Sequence, residues 1–279
     1  MKLIETLNLG YNILKKNNID TYKIDSEILL CNILKITREN LLLDLDRKIN
    51  PINLKNFIAV INKRKLKQPV AYILKKKEFW KNEFYVDSNV LIPRPETEHL
   101  VEETLRIVKK KQKKRILEIG IGSGCVLTSI LKERKFCTAV GIDCSKKAIK
   151  IAKFNANLHH INNRISIIKS NVDNFKSSKY DLIISNPPYI DKHELKYLGV
   201  KTFEPKVALD GGINGTEILM KVVKNASVLL KNNGKLIIEI GINQKYKLMN
   251  CLKKNKFFVN KIVKDLAKHD RCIVSTKNS

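Results

Sequence analysis

The feature that most constrains the fold is a regular alternation, from Arg115 onward, of short apolar runs and longer amphipathic segments. The apolar runs read RILEIGI, TAVGIDC, ISIIKS, YDLIIS and GKLIIEIG, and the amphipathic segments read CVLTSILKE, KKAIKIAKFNANL, GTEILMKVVKNASVLL and QKYKLMNCLKKN. Continuous apolar strands alternating with helices are typical of a mostly parallel sheet covered by helices on both faces. Two final runs, FFVNKIVKD and RCIVSTK, predict an antiparallel pair that closes the sheet. The predicted fold class is therefore α/β.

The first third of the chain has a different pattern. In IDSEILLCNILKI and NLKNFIAVINKRKLK the apolar residues recur at helical spacing, which predicts a small all-α N-terminal domain over residues 1–75. The aromatic and β-branched stretch EFWKNEFYVDSNVLI predicts a β-hairpin linker over residues 76–94. A helix is expected to follow, with Pro95 in its first turn. The α/β domain then occupies residues 95–279.

Composition excludes several functional classes. No apolar run approaches the roughly 20 residues that cross a bilayer, and the N-terminus lacks the pattern of a signal peptide. We therefore expect a cytoplasmic protein with no membrane partner. The six cysteines and five histidines show no metal-ligand spacing, so we expect reduced thiols and no metal site.

The net charge of +27 allows two interpretations. A lysine excess can bind polyanions by releasing their counterions. Here, however, the lysines are scattered over the whole chain, and arginine, which binds phosphate through two parallel hydrogen bonds, is comparatively rare. We favour a general compositional bias and expect no stable nucleic-acid complex.

The stretch EIGIGSG, from Glu118 to Gly124, joins the first parallel strand to the next helix. Ligands in such sheets bind beyond the carboxyl ends of the strands, and glycines let a ligand approach the backbone closely. The spacing fits neither the dinucleotide fingerprint nor the Walker loop. It resembles the S-adenosylmethionine site of Rossmann-like methyltransferases. The expected cofactor contacts are Glu118, Gly120, Ile121, Gly122, Ser123 and Gly124, with Glu118 near the sulfonium and amino group.

Asp143 ends the next strand in VGIDCS. Its carboxylate could accept hydrogen bonds from both ribose hydroxyls, and it could also cap the following helix. We count it among the cofactor residues.

The stretch NPPY, from Asn186 to Tyr189, ends the fourth strand of the sheet, which should lie beside the first. An amide or aromatic amino nitrogen is a poor nucleophile, because its lone pair is delocalised. Two acceptors, the side-chain carbonyl of Asn186 and the backbone carbonyl of Pro187, could bind its two hydrogens and aim the lone pair at a methyl group. Pro187 and Pro188 would fix the turn, and the Tyr189 ring could pack over the planar substrate. The alternative is a plain Pro-Pro turn that ends a strand.

Together, the glycine loop and NPPY resemble enzymes that methylate amino groups of adenine in DNA, guanine in ribosomal RNA, or glutamine in proteins. Three further stretches, QPVAYILKKKEFWKNEFYVDSNVLIPRPETEHLVE (68–102), NPPYIDKHEL (186–195) and TFEPKVALDGGINGTE (202–217), resemble the bacterial release factor glutamine methyltransferase family, PrmC/HemK. This resemblance covers the whole chain.

The resemblance implies a substrate, namely the glutamine of the Gly-Gly-Gln motif in class I peptide chain release factors. It also implies that Asn186 contacts both the cofactor and the glutamine. Further implied residues are Asn171 and Val172 at the adenine, and Arg94, Glu96, Phe203, Glu204 and Pro205 at the walls of the substrate site. Three alternatives stay open: glutamine methylation of a ribosomal protein, methylation of a nucleic-acid amino group, and a non-enzymatic RNA- or ribosome-binding module.

Three positions depart from the family pattern. Glu118 stands where Asp is usual, the pair Asn171 and Val172 where Asp and an aromatic residue are common, and Lys75 where Gly is common. Loss of an aromatic ring at Val172 predicts weaker stacking on the adenine. Lys75 leaves the shape of the linker turn open.

Overall fold

The structure, a computed structural model, describes residues 1–177, 179–197 and 203–278. The described chain divides into two compact units, Met1–Lys76 and Lys77–Ser279. Among these residues, no helix combines the length and apolar character that a membrane span requires.

The first unit is helical. Its helices are α1 (Leu3–Lys16), α2 (Tyr22–Leu34), α3 (Arg38–Leu43), α4 (Pro51–Lys65) and α5 (Val70–Leu74). They enclose a core that includes Leu7, Leu30 and Phe57. Helix α5 ends at Lys75, whose φ of +57° is left-handed. Because glycine adopts this conformation at least cost, the geometry explains why glycine suits this position better than lysine.

A β-hairpin of β1 (Lys76–Phe79) and β2 (Asn82–Tyr85) follows, and all of it except Lys76 belongs to the second unit. Phe79 and Phe84 are buried in the core of this unit. The chain then runs to a short 3₁₀ turn at Pro95–Thr97, and α6 (Glu98–Ile107) starts only after it. Pro95 therefore opens the turn before the helix, a small correction to the prediction that places it in the helix itself.

The rest of this unit is a seven-stranded sheet with its helices. The strands are β3 (Arg115–Ile119), β4 (Thr138–Asp143), β5 (Ile165–Lys169), β6 (Tyr180–Ser185), β7 (Leu230–Glu239), β8 (Phe257–Lys264) and β9 (Asp270–Lys277). The helices are α7 (Cys125–Glu133), α8 (Lys146–Leu158), α9 (Lys192–Tyr197), α10 (Glu217–Leu229) and α11 (Lys245–Lys254). The strand order is β5-β4-β3-β6-β7-β9-β8; the first five strands are parallel, and β9 is antiparallel to both neighbours. The predicted α/β class and the closing antiparallel pair are confirmed.

Helices cover both faces of this sheet. Successive residues of one strand point to opposite faces, so Ile116 belongs to the core cluster that includes α7, whereas Leu117 belongs to the cluster that includes α10. This double burial explains why the strands read as continuous apolar runs.

The topology brings the predicted site residues together. Strand β3 pairs with β4 on one side and with β6 on the other, and all three are parallel. Their carboxyl ends therefore meet at one edge of the sheet, at the point where the strand order reverses. Ligands of open α/β sheets bind at such a point.

Candidate active site

A cavity of about 770 Å³ opens at the carboxyl ends of β3, β4 and β6. Its volume lies within the range of about 300–1,000 Å³ that is usual for small-molecule sites. Of the predicted site residues, those that line it are Arg94, Glu118, Gly120, Ile121, Gly122, Ser123, Asp143, Asn171, Val172, Asn186, Pro188 and Pro205. Within the described part of the chain, Glu96, Gly124, Pro187, Tyr189, Phe203 and Glu204 lie outside this lining.

The glycine loop between β3 and α7 depends on left-handed backbone. Gly120, Gly122 and Gly124 have φ values of +80°, +53° and +80°. A Cβ on Gly122 would meet no atom within 4 Å, so the space beside it is open. The loop is held against β4, because the amides of Gly120 and Ile121 both donate to the carbonyl of Ile142 at 2.9 Å. The Ile121 side chain packs beside Gly141 and belongs to the core cluster of this unit.

Glu118 lies at the floor of the cavity, near the end of β3. Its side chain is buried, and its Oε2 accepts a hydrogen bond from the Leu127 amide at 3.3 Å. Burial raises its pKa well above the ordinary value, and the nearby Asp143 carboxylate raises it further. A cationic ligand group beside Glu118 would therefore stabilise the charged form.

Asp143 ties two loops together at the end of β4. Its Oδ2 accepts from the Gly122 amide at 3.0 Å, and its Oδ1 accepts from the Ser145 amide at 2.8 Å. Burial raises its pKa. The cap of α8 is Ser145, whose hydroxyl accepts from the Ala148 amide, so the structure corrects the expectation that Asp143 caps this helix. Each carboxylate oxygen can accept more than one hydrogen bond, which leaves capacity for a hydroxyl ligand.

The loop after β5 forms another wall of the cavity. Asn171 is exposed at this wall, and Val172 is half-buried against the core. The Asn171 amide could form hydrogen bonds with the polar edge of a heterocyclic base, and the Val172 side chain could pack against its face.

Asn186 is the first residue after β6, and contacts with other protein side chains fix the orientation of its side chain. Its Nδ2 donates to the hydroxyl of Thr97 at 3.1 Å, and the side chain also lies near the carboxylate of Glu239, whose pKa it lowers. Thr97 belongs to the 3₁₀ turn before α6, and Glu239 ends β7. The nitrogen of the Asn186 amide is therefore committed to protein acceptors, while the residue itself lines the cavity.

The turn after Asn186 is held by Gln244. The Gln244 Nε2 donates to the carbonyls of Tyr189 and Gly215, both at 2.9 Å, and its Oε1 accepts from the Gly241 amide at 3.0 Å. The Tyr189 ring packs close to Gly241, and burial raises its pKa to about 12. In the structure this ring supports the turn, whereas the sequence interpretation places it over the substrate.

Arg94, which lines the cavity, forms an ion pair. The Arg94 guanidinium lies 2.5 Å from Glu204, whose other oxygen accepts from the Ile92 amide at 3.0 Å. Glu204 thus fastens the segment after Phe203 to the segment after the hairpin. Glu96, by contrast, is exposed.

Sequence reasoning missed four residues that hold the site: Thr97, Asn155, Glu239 and Gln244. The sequence does indicate a special role for Glu239, because a carboxylate inside an apolar run such as LIIEI is expected to be buried, and buried carboxylates usually have partners. The sequence indicates one for Asn155 as well, since it falls on the buried face of α8; it bonds the backbone of Tyr85 and the Ser123 carbonyl. Thr97 and Gln244 carry no comparable signal.

The cavity fits S-adenosylmethionine by its chemistry. The open space at Gly122 admits a ligand close to the backbone, Glu118 suits a cationic group, and Asp143 has acceptor capacity for ribose hydroxyls. Asn171 and Val172 complete a wall for the base. Fold and cavity together place the protein among the S-adenosylmethionine-dependent methyltransferases.

Comparisons with known proteins agree and are more specific. Residues 97–204 match the methyltransferase small domain, and residues 5–74 match the PrmC N-terminal domain. The release factor glutamine methyltransferase of Fusobacterium nucleatum is 36% identical over 98% of this chain and 78% of its own length. That of Clostridium acetobutylicum is 33% identical over 99% of both chains. The chain belongs to the release factor glutamine methyltransferase family.

Two further comparisons are less specific. A bifunctional methyltransferase of Rickettsia typhi is 34% identical over 96% of this chain, which spans 56% of that longer protein. Among solved structures, a ribosomal protein L11 methylase from Lactobacillus delbrueckii has a TM-score of 0.53 at 17% identity, over 73% of this chain and 90% of that one. A methyltransferase from Pyrococcus furiosus has a TM-score of 0.52 at 18% identity, over 81% and 100%. At these identities the likeness concerns the fold alone.

Proposed function

We propose that this protein transfers a methyl group from S-adenosylmethionine to the side-chain amide nitrogen of the glutamine in the Gly-Gly-Gln motif of class I release factors. The observation that carries the proposal is the fixed amide of Asn186 at the cavity. Because its nitrogen donates to Thr97 and lies near the Glu239 carboxylate, its Oδ1 is the atom left to accept a hydrogen bond from a substrate.

Two carbonyl oxygens of this protein orient the substrate amide. The Asn186 Oδ1 binds one hydrogen of the substrate amide. The Pro187 backbone carbonyl, which lies outside the cavity lining, stays the proposed acceptor for the other. Holding both hydrogens fixes the plane of the amide, so the nitrogen lone pair points in one direction. One of these hydrogens is released as a proton when the nitrogen is methylated.

The cofactor, when bound, would supply a methyl group bonded to a sulfonium sulfur, which leaves as a neutral thioether when the methyl group is transferred. Glu118 and Asp143 bind and orient it, and their negative charges favour a cationic ligand. The left-handed glycines of the loop keep the backbone close to it. Positioning and electrostatics therefore account for the rate without a dedicated general base.

The choice of substrate is supported by family membership and by two relatives named as release factor glutamine methyltransferases. The proposal includes a cytoplasmic location, where release factors act, and excludes a stable nucleic-acid complex. Arg94, Glu96, Phe203 and Tyr189 stay proposed substrate contacts, and the assignment of Arg94 is supported by its presence in the cavity lining.

A substrate panel tests the proposal. The enzyme is incubated with methyl-labelled cofactor and, in separate reactions, with a class I release factor, ribosomal proteins, ribosomal RNA, tRNA and DNA. Label in the release factor, mapped by mass spectrometry to the Gly-Gly-Gln glutamine, is the expected result. Label in a ribosomal protein or a nucleic acid, with none in the release factor, would overturn the assignment in favour of that substrate.

A further inference from the structure

Glu239 is a buried carboxylate that the proposed chemistry does not use directly. It lies at the end of β7, its side chain is 2% exposed, and among the described residues its Oε2 has no hydrogen-bond partner. Burying a carboxylate with an unpartnered oxygen is costly, so an apolar residue would be expected at this place. The retained carboxylate calls for an explanation.

The hydrogen bonds around Glu239 have a fixed direction. A carboxylate only accepts, so the Thr97 hydroxyl must donate to it, and the lone pairs of that hydroxyl are left for another donor. The Asn186 Nδ2 is that donor at 3.1 Å, and the same side chain lies near enough to Glu239 to lower its pKa. The NH₂ group of the Asn186 amide is therefore directed at Thr97, and the carbonyl oxygen is the atom left for a ligand.

This direction matters because an asparagine amide is nearly symmetric in shape. Rotated by half a turn, Asn186 would present its NH₂ group to the substrate's own NH₂ group, and two donors would face each other. Nothing in the shape of the side chain prevents this rotation. Only the donors and acceptors beneath it select one orientation.

We propose that Glu239 is a positioning residue that sets the orientation of the Asn186 amide through Thr97 and by direct contact, so that Asn186 presents an acceptor to the substrate nitrogen. The inference rests on the proposed function insofar as the substrate offers an NH₂ group. It assigns a purpose to a carboxylate that stability alone does not explain.

The charge state of Glu239 should then affect turnover. Burial raises its pKa to about 7, and the neighbouring Glu96 raises it while Arg271, Thr97 and Asn186 lower it. The ionisable Tyr189 and Cys272 also sense its charge. When Glu239 is protonated it becomes a potential donor, and the selection of one amide orientation weakens. Since the charged form predominates above its pKa, turnover should rise with pH through this range.

The test compares Glu239→Ala and Glu239→Gln with the wild-type enzyme on a release factor, at saturating cofactor and substrate. Glu239→Ala should lower kcat about 100-fold, as expected for a misplaced reacting group. Glu239→Gln keeps one acceptor oxygen, so it should retain more activity than Glu239→Ala but lose the rise in kcat near pH 7. Calorimetry should find the same cofactor affinity in all three proteins.

Two controls separate positioning from a general structural role. Glu103→Gln changes another buried glutamate, on α6, whose contacts are Arg106 and Lys261 rather than Asn186; kcat and its pH profile should be unchanged. In an Asn186→Ala background, Glu239→Gln should have no further effect on kcat, because the amide that it orients is gone.

The proposal is overturned if Glu239→Gln keeps both the wild-type kcat and its pH dependence, or if the effects of Glu239→Gln and Asn186→Ala on kcat multiply independently. Should Glu239→Ala fail to fold, the pH profile of Glu239→Gln decides alone. Failure of the proposed function would show separately, as a wild-type enzyme that leaves the release factor unlabelled. The same variants would then be compared on whichever substrate of the panel takes the label.

Discussion

Two positions near the cofactor cavity require glycine for opposite reasons. Gly122 has a φ of +53° and open space around its Cα, whereas Gly141 has no room, since a Cβ there would lie 2.2 Å from the Cδ1 of Ile121. The first position serves the ligand and the second serves the packing of β4 against the loop.

Substituting these two glycines should therefore give different losses. Gly122→Ala should weaken cofactor binding about tenfold or more, equivalent to about 1.4 kcal/mol, because the new methyl group intrudes on open space at the cavity. It should lower the melting temperature only slightly, through the left-handed backbone.

Gly141→Ala is the matched variant and should lower the melting temperature more than Gly122→Ala, because it overpacks the core. Calorimetry and thermal unfolding on both proteins check the pair. A Gly122→Ala enzyme that binds the cofactor as tightly as wild type would contradict the assignment of the open space to the ligand.

The raised pKa of Glu239 also predicts that the stability of the folded protein depends on pH. Its pKa is raised in the folded protein from 4.5 to about 7, so the folded state holds this proton more tightly than the unfolded state does. The stabilisation is complete below pH 4.5, is lost as the pH rises to about 7, and stays lost above. The size of the effect is about 3 kcal/mol.

Glu239→Gln removes this titration. Relative to wild type, the variant should gain stability as the pH rises from 4.5 to about 7, and the difference should then level off. Denaturant unfolding of both proteins across this range measures it. A stability difference that is independent of pH would show that the carboxylate has an ordinary pKa in the folded state.

At the scale of elements, the site depends on how loops are fastened to one another. Gln244, just before α11, bonds the NPPY turn, the loop at Gly215 and the end of β7. Gln244→Ala would leave two carbonyls and one amide without these bonds, and each unpaired buried group costs about 1–3 kcal/mol.

We expect Gln244→Ala to lower kcat about 100-fold through displacement of the turn, and to lower the melting temperature as well. Gln112→Ala is the matched control, because Gln112 accepts a hydrogen bond from a loop amide at the opposite ends of the strands. Steady-state kinetics on both variants check this. Equal kcat values in Gln244→Ala and wild type would mean that the turn holds its shape without the clamp.

The elements of the sheet could be predicted from the sequence because their cause is local. Strand β6, YDLIIS, and helices α7 and α8 are marked by apolar periodicity, and their bounds match the predicted stretches. Short helices such as α3 and α9 were not predicted, because six residues give too little periodicity. Thr202, the first residue of the family stretch 202–217, lies outside the described residues.

The cofactor loop could also be predicted from local sequence, because its glycines, the end of the strand and the acidic residue are adjacent in the chain. The supports of Asn186 were not, because they come from distant elements. Thr97 is 89 positions from Asn186 along the chain, and only the folded sheet brings it and Glu239 together. The structure also packs the Tyr189 ring beside Gly241, a contact that the sequence does not indicate.

At the scale of the whole molecule, each hydrophobic core cluster draws all its members from one of the two units. We therefore expect residues 77–279 to fold alone and to keep the cofactor affinity of the full chain. The helical unit, which we propose recognises the substrate protein, should matter for substrate binding instead.

The fragment should methylate a short Gly-Gly-Gln peptide as fast as the full chain does, but it should show a higher KM for the intact release factor. Kinetics with both substrates check this. An unchanged KM for the release factor would contradict a recognition role for the helical unit, and a fragment without cofactor affinity would show that the units fold together.

The central claim is that Asn186 orients the substrate amide. The most direct measurement is the single-turnover rate of methyl transfer to an intact release factor by Asn186→Ala and wild type, alongside cofactor affinity by calorimetry. The account predicts a rate about 100- to 1,000-fold lower, the usual loss when one preorganised hydrogen bond is removed from an active site, with nearly unchanged cofactor binding. A variant that transfers the methyl group at the wild-type rate, or that loses rate only in proportion to cofactor binding, would contradict it.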